Sequence, residues 1–301
     1  MKKCESMVDV AVFPVAGLGT RFLPITKAGP KEMLPIVDRP VIQYAVEEAI
    51  LAGIKHLIFI TSSGKRAIED YFDSNFELEQ RLAEKKKTQA LAMVQNILPP
   101  DVTISYVRQT APLGLGHAIF CAQKLIQNKP FAVLLPDDVI DSEDQGCLQS
   151  MVAHYDATQN SVLAVQQVEP HDVDKYGIVA LESYAKQFAK IIEIVEKPAL
   201  GQAPSNFAVT GRYVLSPRIF EFLAAAKAGS GGEIQLTDAI AKLTQVEQVD
   251  AFTFTGKRYD CGSKLGLLQA TLAFALRRAD LRGPLMEHLK ELVKAEARSL
   301  G

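Results

Sequence analysis

Three things are scarce in this sequence, and each scarcity removes a class of function. Excess charge is the first: 33 lysines and arginines face 35 aspartates and glutamates, a formal net charge of −2. No global basic field draws such a chain to nucleic acid or to an anionic membrane, so any anion site must be local. Cysteine is the second. Cys4, Cys121, Cys147 and Cys261 include no C-x-x-C pair, which argues against a disulfide framework or a zinc site and for a reducing cytoplasm. Long apolar runs are the third, since no segment reaches the roughly 18 to 20 apolar residues of a membrane span. Lys2 and Lys3 imitate the start of a signal peptide, but Asp9 and Arg21 interrupt the apolar run and no small-residue cleavage site follows. A soluble, cytoplasmic protein with no nucleic-acid and no membrane partner is expected.

What is present is enough for a substantial core: 301 residues, 48% of them hydrophobic. Short β-branched runs alternate with helical stretches. "VDVAVFPVA" reads as a strand, "VIQYAVEEAILAG" as a helix stopping near Gly53, "KHLIFITS" as a strand and "GKRAIEDYFD" as a helix. Residues 75–95 read as a surface helix or hairpin inserted between strands, with Lys85 to Lys87 on a solvated face. "PPDVTISYVRQ" is a strand, "LGLGHAIFCAQKLI" a loop and helix, and "KPFAVLLPDDVI" one buried strand ending in two carboxylates. After Ser161 come short strands and turns, helices at "RIFEFLAAAKA" and "LTDAIAKL", a last strand "VDAFTFTG" and a helical tail. The expected fold is α/β, a three-layer α/β/α arrangement about a mixed, mostly parallel, Rossmann-like central sheet. Residues 1–276 are expected to form one domain, with a nucleotide-binding half over about 8–150 and a more mixed substrate half over about 151–276. The tail, 277–301, carries Leu285, Met286, Leu289 and Leu292 at roughly helical spacing, a pattern that ordinarily packs onto its own domain.

The stretch "VFPVAGLGTRFLPITKAGPKEMLPIV" opens like a strand followed by a phosphate-binding turn. A P-loop needs G-x-x-x-x-G-K-[ST], and from Gly17 the second glycine position holds Phe22. A dinucleotide fingerprint needs G-x-G-x-x-G; Gly17 and Gly19 supply two glycines and Phe22 again stands at the third. A short glycine turn remains, whose backbone N–H groups can face an anion, with Arg21 and Lys31 as cationic arms. Pro24 and Pro30 stiffen the segment that carries Lys31.

The string "AGLGTRFLPITKAGPKEMLPIVDRP" closely resembles the G-x-G-T-R…P-K motif of the sugar-1-phosphate nucleotidylyltransferases, in its bacterial uridylyl-transferring variant. The resemblance continues in order through "YFDSNFELEQRL", "RQTAPLGLGHA", "LLPDD", "YGIV", "VEKP", "GRYVLSP", "GGEIQLTDAI" and "YDCGSKLG". It implies attack of glucose 1-phosphate on the α-phosphorus of UTP, giving UDP-glucose and pyrophosphate. The attacking oxygen is already anionic, so positioning and charge neutralisation carry the catalysis. Two like unit charges about 4 Å apart repel by roughly 4 kcal/mol at an effective dielectric near 20, which makes cations obligatory.

Asp137, at the carboxyl end of the apolar strand, is the preferred Mg²⁺ ligand, ahead of Asp138, which could instead bond nearby backbone. The resemblance supplies the second carboxylate, Asp260. It also assigns Lys197 to the sugar phosphate, Glu196 to glucose hydroxyls, and Gly177 and Glu233 to the sugar side. Gln109 has an amide donor and acceptor that suit a uracil edge, with Gly114 beside it and Ala16, Gly17 and Gly19 under the nucleotide. Arg21 would steady the departing pyrophosphate and Lys31 the nucleotide phosphates. His117 reads as a structural residue at a helix start; His56, His154, His171 and His288 show no metal-ligand spacing. A homo-oligomer, dimer or tetramer, is implied by the resemblance. Two other readings stay open: a glucose-1-phosphate thymidylyltransferase, against which the segment around 73–98 argues, and a catalytically silent nucleotide-sugar sensor.

Overall fold

A computed structural model describes residues 6–142, 146–227 and 232–299. Lys2, Lys3, Cys4 and Gly231 lie outside them, as do the last residue of the helix expected over 218–228 and the end of the tail. The chain opens with β1 (Val10–Pro14), two short strands β2 (Pro35–Ile36) and β3 (Arg39–Pro40), α1 (Val41–Leu51), β4 (His56–Thr61) and α2 (Arg66–Phe72). Then come α3 (Phe76–Glu84), α4 (Thr88–Gln95), β5 (Thr103–Arg108), α5 (Leu115–Phe120), α6 (Gln123–Ile126), β6 (Phe131–Leu134), β7 (Asp138–Asp141) and α7 (Cys147–Thr158). The remainder is β8 (Ser161–Gln167), β9 (Gly177–Leu181), β10 (Phe188–Glu196), β11 (Phe207–Leu215), α8 (Ile219–Ala224), α9 (Leu236–Leu243), β12 (Val249–Thr253), β13 (Lys257–Asp260), α10 (Lys264–Ala275) and α11 (Ala279–Ser299).

Nine strands form one sheet in the order β5-β4-β1-β6-β11-β8-β12-β10-β9. Only β11 and β10 run against the others, since β1, β4, β5 and β6 pair in parallel, as do β8 and β12. The period of two in β1 divides the core. Val10 and Val12 join Ile119, Ile126, Leu223 and Ile240 on one face, while Ala11 and Phe13 join Ile42, Val46, Leu148 and Met151 on the other. Helices therefore cover both faces, and the three-layer α/β/α architecture is the one expected. Each fully buried Ile, Leu or Phe contributes roughly 1.5–3 kcal/mol through area removed from water.

At the crevice between β1 and β6, neighbouring strands lead away in opposite directions, and the carboxyl ends of β1, β4, β5 and β6 all open there. Ligands of open α/β sheets bind at such a switch point.

Four local differences from the sequence reading have physical causes. "KPFAVLLPDDVI" is two strands: Pro136 has no N–H for a ladder, the chain turns after Leu134, and β7 starts at Asp138. The partner of β7 is β13, an unexpected strand of charged residues that places Asp260 opposite Asp138. Residues 75–95 form two helices that bury no residue, and Lys85 to Lys87 are the turn between them, Lys86 at φ 54°. Over its described side chains, 279–298, the tail helix α11 also buries no residue: Leu285 and Leu289 are half-buried, while Met286, Leu292 and Val293 are exposed. The packing onto its own domain expected of this helix is thus slight. No helix of the described residues is long and apolar enough to cross a membrane.

Candidate active site

β1 delivers the chain to the glycine stretch. Val15 donates its N–H to Ile60 O at 2.9 Å, and Ala16 O accepts Ser62 Oγ at 3.1 Å. Beyond Gly17 and Gly19 the chain does not enter an α-helix. It steps through three 3-10 turns, Thr20–Phe22, Ile25–Lys27 and Lys31–Met33. That explains the residue at the missing third glycine: no helix has to lie against the strand here, and Phe22 is a buried anchor, 7% exposed. Thr26 Oγ1 closes the loop on Gly19 O at 2.9 Å. Arg21 is exposed at the tip. Glu32, invisible as a functional residue in the sequence, is buried and accepts Lys65 Nζ at 2.8 Å, fastening the far end of the loop to the start of α2.

Asp137 sits in the turn between β6 and β7, its Oδ2 2.5 Å from Lys31 Nζ. Burial pushes the Asp137 carboxyl up, but the Lys31 ammonium, with a backbone hydrogen bond and Arg258, outweighs it and holds the group below the usual carboxylate range. Lys31 moves the other way: burial lowers it, the Asp137 and Glu32 carboxylates together raise it more, and the net direction is up. Asp260, carried by β13, receives the N–H of Gly262 on Oδ1 at 3.0 Å. A Cβ built on Gly262 would lie 2.8 Å from Asp137 Oδ2 and 2.9 Å from Asp260 Oδ1. The two carboxylates thus face one small open space, and any side chain at 262 would fill it.

That cradle is what a hard divalent cation needs from a protein. Mg²⁺ takes one or two carboxylates and completes its octahedron with water and substrate phosphates. Among the described residues no group of three or more His, Cys, Asp or Glu is arranged for a metal, and none is required for such an ion. Asp138 is differently engaged. Arg258 Nε donates to its Oδ1 at 2.6 Å and Gly211 N–H to its Oδ2 at 3.0 Å, the backbone-bonding alternative weighed for this residue.

Behind the carboxylates lies Arg212, 1% exposed. Its five N–H donors are all used: Glu48 Oε2 takes two at 2.9 and 2.8 Å, and the carbonyls of Leu135, Gly211 and Asp138 take the rest at 3.0, 3.0 and 2.7 Å. The turn bearing Asp137 is held on both sides. Sequence reading missed Arg212 and Arg258, whose only signal was their occurrence within or beside longer matching strings.

Arg21, Asp137, Gly177, Glu196, Lys197, Glu233 and Asp260 line one cavity of about 390 Å³. A second, of about 260 Å³, is lined by Gly19, Arg21, Lys31, Asp137 and Gly262, so Arg21 and Asp137 stand where the two meet. Glu196 Oε2 accepts Thr237 Oγ1 at 2.7 Å, and Glu196 Oε1 lies 3.4 Å from Lys197 Nζ. Gly177 lies against Glu196 and Thr237. Lys197 has φ 44°, a left-handed conformation that costs a non-glycine residue of order 1–3 kcal/mol and that clusters at ligand sites. Thr237, Tyr176 and Lys175 also line the cavity and were not singled out from sequence.

Gln109 and Gly114 come together outside both cavities. Gln109 Nε2 donates to Gly114 O at 3.1 Å and meets His117 Nδ1 at 3.0 Å. Gly114, at φ 94°, is pressed against Glu233 and Ile234 closely enough that a Cβ would stand 2.9 Å from each. Its loop is pinned there by Gly116 N–H to Ile234 O at 2.8 Å and Ile234 N–H to Leu113 O at 2.7 Å, joining the loop of Gln109 to that of Glu233.

The family described as nucleotidyl transferase matches residues 11–276. The UTP–glucose-1-phosphate uridylyltransferase of Bacillus subtilis is 49% identical over 290 residues, 96% of this chain and 98% of its own. Among solved structures, a UTP-bound UGPase from Acinetobacter baumannii is 44% identical with a TM-score of 0.88, covering 95% of this chain and 99% of that one. A UDP-glucose pyrophosphorylase complexed with UDP-glucose is 45% identical with a TM-score of 0.82, covering 90% of this chain and 100% of that one.

Proposed function

The chain belongs to the nucleotidyl transferase family, and we infer that its reaction joins UTP and α-D-glucose 1-phosphate into UDP-glucose and pyrophosphate. The observation that carries this reading is the meeting of Asp137 and Asp260 across Gly262, with Lys31 and Arg21 beside them, at the edge of a cavity lined by Glu196 and Lys197. An oxygen of the sugar phosphate attacks the α-phosphorus of UTP in line, and the bond to pyrophosphate breaks. The nucleophile is already anionic and needs no base.

Lys197 takes the phosphate of glucose 1-phosphate, while Glu196, held by Thr237, accepts from glucose hydroxyls; Glu233 and the backbone at Gly177 complete the sugar side. Ala16, Gly17 and Gly19 pass beneath the nucleotide, and Gln109 beside Gly114 meets the base. Lys31 exchanges Asp137 for the nucleotide phosphates, and Arg21 receives the charge that grows on pyrophosphate. Mg²⁺ held by Asp137 and Asp260 would neutralise triphosphate charge and supply Lewis acidity. The exposed apolar residues of α11 suit contact with a second copy in a dimer or tetramer, and free thiols at Cys121, Cys147 and Cys261 suit the cytoplasm.

The test is pyrophosphate release from UTP, dTTP, CTP and ATP with glucose 1-phosphate, with and without Mg²⁺. Fastest turnover with UTP, dependent on the metal, is expected. A dTTP preference would replace the reading with thymidylyl transfer, and UDP-glucose binding without turnover would replace it with a sensor.

A further inference from the structure

The amide of Gln109 is oriented from two sides. Its backbone is fixed at the carboxyl end of β5, where its N–H donates to Thr61 O at 2.8 Å. The residue just past that neighbouring strand, Ser62, bonds the carbonyl of Ala16 at 3.1 Å, so Gln109 stands beside the glycine loop. A carbonyl oxygen only accepts, so the amide atom 3.1 Å from Gly114 O must be the NH₂ group. The second N–H of the same nitrogen then points at His117 Nδ1, 3.0 Å away. That contact is a hydrogen bond only if Nδ1 accepts, which puts the imidazole proton on Nε2. With both donors engaged, Oε1 is the atom that Gln109 has left to offer.

We propose that His117 is a positioning residue that fixes the polarity of the Gln109 amide, so that Oε1 meets the N3–H of a uracil ring and rejects cytosine. The inference rests on the reading of Gln109 as the residue that meets the base of UTP. Uracil and thymine both present N3–H as a donor between two carbonyl acceptors. Cytosine presents a bare N3 lone pair, which would face the lone pairs of Oε1. An aromatic residue at 117 would leave one amide N–H without its acceptor and remove one of the two constraints against rotation. A site built around a fixed donor–acceptor pattern discriminates because the wrong partner leaves polar groups unpaired. The arrangement has no means of telling uracil from thymine, and this supplies an internal control.

The experiment compares the full-length protein with His117→Phe and His117→Asn, measuring kcat and KM for UTP, dTTP and CTP and the melting temperature of each variant. His117→Phe should raise KM for UTP and dTTP alike by roughly five- to tenfold, the effect of one lost hydrogen bond. It should leave kcat nearly unchanged and narrow the UTP-to-CTP ratio of kcat/KM by a similar factor, with the UTP-to-dTTP ratio unmoved. His117→Asn keeps an acceptor close to the position of Nδ1 and should restore most of the UTP-to-CTP ratio. If His117→Phe does not fold, His117→Ala at this half-buried position carries the same ratio test. An unchanged UTP-to-CTP ratio in a folded variant, or equal losses with all three nucleotides, overturns the role of His117 while leaving the uridylyl reaction intact. A wild-type protein that does not prefer UTP to CTP overturns the nucleotide assignment itself, and the inference with it.

Discussion

The loop over residues 15–34 and the ladder of β7 with β13 bring opposite charges to the same place by opposite means. The loop carries its cations on short 3-10 turns, with Arg21 exposed at the tip and Lys31 half-buried. The ladder carries its carboxylates on a frame whose own charges are buried: Arg212 spends five donors on it, and Arg258 is paired with Asp138. The difference shows which charges are built to stay and which to move. The anions that would hold a metal ion are immobilised from behind, whereas the cations proposed to follow phosphate charge keep solvent on one side.

Replacing Arg212 with Leu strikes the rigid member of the pair and should have the largest effect. It leaves Glu48 without its cation and takes one donor from each of three carbonyls, of which Leu135 O and Gly211 O keep a backbone N–H, so unfolding in urea should show a loss of about 3–5 kcal/mol, the usual cost of breaking a buried ion pair. If stability held, the ladder would not be rigid in the sense argued. Asp137→Asn removes one anion but keeps the frame. Pyrophosphate release should fall roughly 10²- to 10³-fold, as on losing one preorganised electrostatic group, with the melting temperature nearly unchanged.

The mobile side should respond in the opposite sense. Arg21→Ala and Lys31→Ala should each lower turnover at least about tenfold; stability should change by less than about 1 kcal/mol at exposed Arg21 and by about 1–3 kcal/mol at half-buried Lys31, whose loss leaves Asp137 without its partner. Normal turnover in a folded Lys31→Ala protein would remove its part in neutralising phosphate. The smallest effect lies outside both regions and calibrates them. Burial, then Glu247 and Asp156, push the Tyr155 phenol up to about 12. The unfolded chain releases this proton near its ordinary value of about 10, so between about pH 10 and 12 the native state holds the proton that the unfolded state has lost. Stability therefore falls as pH rises through that window, and Tyr155→Phe should flatten the slope slightly in alkaline denaturation.

Legibility in the sequence followed how local each cause is. Helix α9 is bounded as its apolar spacing predicts, and Asp137 declared itself as a carboxylate just past an apolar strand. Phe22 was legible as an anomaly but not as an anchor, because its burial depends on the 3-10 path that the loop takes. The strand β13 was missed because "KRYD" is short and charged and sits next to Gly256; only pairing with β7 makes it a strand. Gln109 was read as offering both a donor and an acceptor, and the fold spends the donors on Gly114 and His117.

By itself the sequence determined the alternation of strands and helices, the mostly parallel three-layer class, and the glycine stretch with its two cations, since periodicity and short motifs act over neighbouring residues. The tertiary structure alone decided that Asp260 faces Asp137 across Gly262, that Arg212 holds their frame, and that the loop at Gly114 locks against Glu233 and Ile234. Those contacts join residues more than a hundred positions apart, or close a gap that exists only once both sides have packed. No local preference of the chain encodes where two such distant segments will meet.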